Sequence, residues 1–237
     1  MKAGALRRMA MLIATVAALG GVGGVVFGSA ATLPVSPRNA SAFRTCVLTG
    51  YPTTTTVMFD TWADENSKTS NKAGGVTVQV QSNTGRNNRP FLGFDLTKCV
   101  PTIAGAATVK QATLRLTLAG APSASRTYNV NRVTGPCPEA ATTCWTENGL
   151  TWNNQPTVAA SATSTLALTS SSATNQYYAF DVTADVVAMV AGTASNYGWR
   201  IADSAEGNAT SIIATFKSKD ATSNAAGAPQ LVIAYSP

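Results

Sequence analysis

The chain has 237 residues, with seventeen Lys or Arg against eleven Asp or Glu, a formal net charge of +6 and no histidine. Without histidine there can be no Ser-His-Asp or Cys-His catalysis and no histidine-bearing zinc site. Only 12% of residues are charged, and no Lys/Arg cluster occurs after Arg8, so the footprint of a nucleic-acid binder is missing.

Lys2, Arg7 and Arg8 precede a nineteen-residue apolar run from Met9 to Phe27, closed by Gly28-Ser29-Ala30-Ala31. Charge, apolar run and small residues in that order predict a secretory signal over residues 1–31, cleaved after Ala30 or Ala31. The run is also just long enough to serve as a retained membrane anchor. Either outcome places the remainder outside the cytoplasm, as an extracellular or cell-surface protein, with contact to membrane only through this segment. Residues 32–56, rich in Pro and Thr, read as an extended leader tied down at Cys46. A single domain follows over 57–237, long enough for one real core.

From Val57 onward the apolar pattern breaks into short runs between turn residues. Val57–Trp62 reads as a strand, and Val76–Gln81 alternates strictly, as a half-buried strand must. Phe91–Leu96 suits a more buried strand. Over Val109–Leu118, Ala112, Leu114, Leu116 and Leu118 should face inward. Tyr128–Val133 alternates without fixing which side is buried. Thr165–Leu168, Tyr177–Val182, Trp199–Ile201, Ser211–Phe216 and Leu231–Tyr235 complete about ten strands. One short helix is expected after a Thr183-Ala184-Asp185 cap, with Val186, Val187, Met189 and Val190 on its apolar face and Gly192 at its end. This pattern predicts an all-β, two-layer antiparallel sandwich of jelly-roll type with one short helix.

Four cysteines in an exported chain read as two disulfides, with three possible pairings. Cys137 and Cys144 bracket a short polar loop whose ends can meet, which pairs them and leaves Cys46 to Cys99. Loop entropy values the short bridge at roughly 2.5 kcal/mol and the long one at about 4 kcal/mol.

The densest stretch is Cys144–Pro156, where Trp145 and Trp152 flank Glu147 and the chain leaves through Asn153, Asn154, Gln155 and Pro156. A buried Trp removes about 150–250 Å² from water, so the two indoles read as core anchors, with Glu147 serving nearby backbone donors. The alternative is a stacking platform for sugar rings. Asp60, Asp64 and Glu65 could together hold calcium through their oxygens. Asp95, Glu147, Asp181 and Asp185 are the carboxylates available for a glycosidase pair, but no spacing favours any two of them, and Asp95 and Asp181 read as turn-stabilising groups. The chain therefore reads as a non-enzyme.

Several stretches, in order, carry a resemblance: Phe59-Asp60-Thr61-Trp62; Arg89 to Leu96; Ala112 to Leu116; Trp145-Thr146-Glu147 with Leu150 to Pro156; Asp181-Val182-Thr183; Asn196 to Trp199; Lys217 to Asp220; and Pro229-Gln230-Leu231. This series resembles the disaggregatase-related family, known as DNRLRE domains, of bacterial and archaeal surface proteins, over about residues 57–235. The resemblance implies a jelly-roll sandwich, export, no catalysis, and kinship with carbohydrate-binding modules that include alginate binders. The expected partner is thus a polysaccharide of the cell envelope or matrix. Candidate contacts are the aromatics Tyr177, Tyr197 and Trp199, together with Arg89, which occupies a family-like position. Arg86 and Lys110 are further cations that could meet an acidic polymer. The competing expectation is a structural surface protein that associates with copies of itself or packs into a larger assembly.

Overall fold

The structure, a computed structural model, describes residues 43–50, 57–135, 145–221 and 227–236. The expected signal or anchor, most of the leader and the expected Cys137–Cys144 bridge lie outside those residues. Among the described residues no helix is long and apolar enough to cross a membrane.

Among the described residues, eleven antiparallel strands and one α-helix form: β1 (Arg44–Thr49), β2 (Met58–Asp64), β3 (Thr77–Ser82), β4 (Asn88–Phe94), β5 (Val109–Gly120), β6 (Arg126–Arg132), β7 (Ser164–Leu168), β8 (Tyr177–Asp181), α1 (Thr183–Val190), β9 (Trp199–Asp203), β10 (Ile212–Lys217) and β11 (Gln230–Tyr235). The all-β sandwich expected from the alternation is what forms. A first sheet runs β1-β11-β5-β8. A second contains β10, β3, β4, β9, β6 and β7, with β2 along the outer edge of β4. The long strand β5 joins them, since its last residues pair with β10 at Leu118↔Phe216 and Gly120↔Thr215.

Alternation decides what lies between the sheets. Ala112, Leu114, Leu116 and Leu118 of β5 are fully buried, as are Val80 of β3, Val130 of β6, Phe180 of β8, Phe216 of β10 and Ile233 of β11. Each such aliphatic or aromatic side chain stabilises the fold by about 1.5–3 kcal/mol. β6, whose buried side was open from sequence, turns Tyr128 and Val130 into this core and Asn129 and Asn131 away from it.

The segment read as a leader contains a strand. Cys46 and Leu48 of β1 enter the main core, and Cys46 is bonded to Cys99 as paired from the sequence. The helix forms where expected but is capped differently. Its first residue is Thr183, and Asp181 two positions earlier accepts both the Thr183 N–H (2.9 Å) and its hydroxyl (2.6 Å). These bonds hold the Asp181 carboxyl below the usual carboxylate range.

A second, smaller cluster lies on the opposite face of the second sheet. Ala63, Phe91, Val133, Trp145 and Leu150 are its buried members, with Phe59, Trp152, Val158 and Tyr197 packed around them. Two glycines make room for it. A Cβ on Gly93 would lie 2.1 Å from the Phe59 ring, so β4 needs glycine for that ring to cross it. Gly198 has φ +78°, and a Cβ there would lie 2.1 Å from the Leu92 carbonyl oxygen. Both conditions select glycine, and together they bring the start of β9 tight against β4.

Candidate functional site

The outer face of the second sheet is built by the tryptophan segment. Trp145 is only 6% exposed; its ring packs against Phe59 (centroids 4.6 Å apart) and edge-on to Phe91 (5.7 Å), and its indole N–H donates to the Tyr197 carbonyl at 2.8 Å. It is a core anchor. The segment is tied from both ends. The Asn71 side chain donates to the carbonyls of Glu147 and Leu150, both at 2.7 Å, while Asn154 accepts from the Thr151 N–H (2.7 Å) and donates to the Gly149 carbonyl (2.9 Å). Asn153 contributes its backbone N–H to the Lys68 carbonyl at 3.2 Å.

Trp152 differs from Trp145. It is half-buried, and the Arg89 guanidinium lies 4.3 Å from its ring centroid, a cation–π arrangement. Arg89 is also held by both oxygens of Glu206 (2.8 and 2.5 Å) and donates to the Gln155 side-chain oxygen at 3.3 Å. The expected contact Arg89 is therefore in place, but as one half of a bidentate ion pair.

Beside it stands a cation that the sequence reading passed over. Arg200 of β9 pairs across the sheet with Phe91 of β4 and Asn131 of β6, so it shares the outer face with them. Its Nε is buried without a hydrogen-bond partner, and its contact to Asn131 Oδ1 is long, at 3.4 Å. Among the described residues no carboxylate forms an ion pair with it. Its pKa is lowered by burial first and by the neighbouring Arg89 second, with Glu206 working in the opposite direction. Glu206 is already engaged by Arg89, so the pair of arginines carries one uncompensated positive charge, half withdrawn from water. Isolated charge in that position is costly, and an anion would relieve it.

The other expected contacts separate. Trp199 is fully buried in the main core, where its indole N–H donates to Asp185 at 2.7 Å, so it presents no surface. Period-two alternation is the reason: with Trp199 inward, the next residue, Arg200, must face out. Tyr197 packs into the small cluster. Tyr177 is 37% exposed but stands on the first sheet opposite Thr117, its hydroxyl donating to the Ala228 carbonyl at 3.1 Å. Arg86 and Lys110 are exposed and belong to neither arrangement.

The acidic residues expected to gather near the first strand do not converge. Asp64 accepts from Lys72 (3.1 Å) and the Asn66 N–H (2.9 Å), and Glu65 accepts from the backbone and side chain of Asn87 (2.9 and 2.7 Å). Asp60 instead meets Glu147 and Asp220, with one oxygen of each within 4.8 Å of the others. Lys219 ties this group together: its ammonium bonds Glu147 (2.8 Å) and Asp220 (3.0 Å), and its backbone N–H donates to Asp60 (2.9 Å). Glu147 therefore serves an ion pair rather than backbone donors. Burial raises Asp60 to about 7, the Lys219 N–H opposes the rise, and the Glu147 and Asp220 charges add to it. At 2% exposure Asp60 is sealed from any substrate.

The remaining carboxylates are occupied structurally. Asp95 accepts from the Thr97 N–H and hydroxyl, and Asp185 accepts from Trp199, from Thr163 (2.7 Å) and, through an ion pair, from Arg132 (3.3 Å). What the outer face offers is an aromatic surface, side-chain amides and unbalanced cationic charge, which suits binding rather than bond cleavage.

A search of curated proteins finds no match. The model of carbohydrate-binding module family 96 matches residues 51–235, which include every strand from β2 to β11 and the whole tryptophan segment, and the chain belongs to that family.

Proposed function

We propose that this is an exported, non-catalytic module that binds polysaccharide of the cell envelope or extracellular matrix, and that the ligand lies on the outer face of the second sheet around Arg200, Arg89 and Trp152. The observation that carries the reading is the uncompensated Arg200. A sugar carboxylate placed there gains a charge-assisted, bidentate partner. The half-exposed edge of Trp152 and the amide of Gln155 lie on the same face, where a ring and its hydroxyls can be met. Export is supported by the charge, apolar run and small residues of segment 1–31. The ordered motifs resembling disaggregatase-related domains support the surface location.

The test is binding of polygalacturonate, compared with a neutral polysaccharide, by calorimetry. The wild-type protein should bind the acidic polymer saturably, and Arg200→Gln should weaken it about tenfold or more. Equal binding of acidic and neutral polymers, indifferent to Arg200, would remove the reading.

A second reading, self-association, is favoured by one feature. Among the described residues β1 pairs only with β11, and Phe43 and Val47 are exposed beside its open edge. Such an edge is a template for another strand. Concentration-dependent light scattering without sugar, abolished by Val47→Lys, would mark it.

A further inference from the structure

We infer that the site around Arg200 is one end of a longer track, and that an extended glycan chain runs from it along β6 into an uncharged groove formed by Ser125, Thr127, Ala167, Thr169 and Ser204. This rests on the proposed polysaccharide reading and deepens it: the ligand is bound as the interior of a chain rather than as a single sugar.

The groove has a volume of about 270 Å³ and lies where the start of β6 meets the ends of β7 and β9. Its backbone is fixed by the Ser204 N–H donating to the Thr127 carbonyl at 2.8 Å. Arg126 also borders it, but Arg126 is clamped by both oxygens of Asp203 and donates again to the Ala205 carbonyl. The cation is thereby neutralised, and the walls present hydroxyls and methyl groups. Such a lining suits the edges and apolar faces of sugar rings, and its hydroxyls can donate to ring hydroxyls or to a sugar carboxylate without an ion pair. The two ends of the track thus differ in chemistry: charged at Arg200, neutral at Ser204.

Strand register makes them continuous. Tyr128 and Val130 point into the core, so Thr127, Asn129 and Asn131 form one row on the outer face. Asn131 is the partner of Arg200, and Asn129 is the partner of both Ala202 and Thr165. Thr127 pairs with Ala167 and lines the groove. Four strand residues at about 3.3 Å each separate the two ends by roughly 13 Å. The exposed residues along that path, Thr165, Ala167 and Thr127, are short, and Ala202 forms a flat, buried step between them.

The experiment uses galacturonic acid oligomers from trimer to hexamer with the intact protein. The wild type should bind the hexamer about tenfold more tightly than the trimer. Ser204→Glu sets a like charge in the groove and should cancel that gain while leaving trimer affinity and melting temperature unchanged. Thr127→Val, which removes one hydroxyl without adding charge, should lower hexamer affinity several-fold. If trimer and hexamer bind equally, or if Ser204→Glu leaves the gain intact, the track is wrong. In that event, loss of trimer binding in Arg200→Gln would show that the charged end stands alone. Trimer binding indifferent to Arg200 would overturn both the site and its extension.

Discussion

The two faces of the second sheet are built on different principles. The inner face is predominantly apolar and meets β5, β8 and β11 in one continuous core. The outer face holds five buried residues under a loop, and that loop is fixed by hydrogen bonds from Asn71 and Asn154 and by the Lys219 ion pairs. Hydrophobic burial is non-directional and fixes only which side is in. The polar ties of the outer face are directional, and in the same region they leave Arg200 Nε buried without a partner. A surface that is ordered yet electrostatically incomplete is prepared for a partner.

The sharpest way to break this contrast is to cut each face in turn. Trp199→Ala opens a cavity in the main core and strips Asp185 of a buried donor, for a loss of about 3–5 kcal/mol. Chemical denaturation should show the unfolding midpoint moved to lower denaturant by the equivalent of that loss. Replacing both Cys46 and Cys99 by Ser releases a loop with a sequence separation of 53 and should cost about 4 kcal/mol.

Asp60 tests the buried polar junction. Its folded value of about 7 lies above the ordinary 3.8 of the unfolded chain, so between those pH values the folded chain holds a proton that the unfolded chain has lost. Stability from this group is therefore complete below pH 4 and falls as pH rises through 7, by on the order of 4 kcal/mol. Asp60→Asn should flatten the dependence of melting temperature on pH in that window and stabilise the protein above it. A wild-type profile that rises from pH 4 to 7 by this group would contradict the assignment. Asn71→Ala leaves two carbonyls of the tryptophan segment unsatisfied and should cost about 1–3 kcal/mol, with the main core intact. Smallest in stability is Trp152→Ala, below about 1 kcal/mol for a half-buried ring whose neighbours can relax. Its effect should appear in polysaccharide binding.

The inner face was legible in the sequence because alternation is a local signal. The leucines of β5 and the valines of β3 follow from period two alone. What alternation leaves open is its phase. Trp199-Arg200-Ile201 reads equally well with either set outward, and the bulky aromatic drew attention to itself while the arginine beside it held the exposed position. β1 was hidden for another reason: its strand character comes from pairing with β11 at the other end of the chain. The Glu147–Lys219 and Arg89–Glu206 pairs join residues far apart in sequence, and no spacing rule connects them. Arg89 and the Trp145 anchor were found because each sits in a recognisable short motif; Arg200 has none.

One titration bears most directly on the claim that the outer face awaits an anionic glycan. The melting temperature of the wild-type protein and of Arg200→Gln is followed as polygalacturonate is added. A ligand that binds only the folded state at a hundredfold excess over its Kd stabilises by about 2.7 kcal/mol, which is several degrees for a domain of this size. The wild type should shift upward by that amount, and the variant should start at an equal or higher temperature and move little. A parallel rise in both proteins, or none in the wild type, contradicts the account.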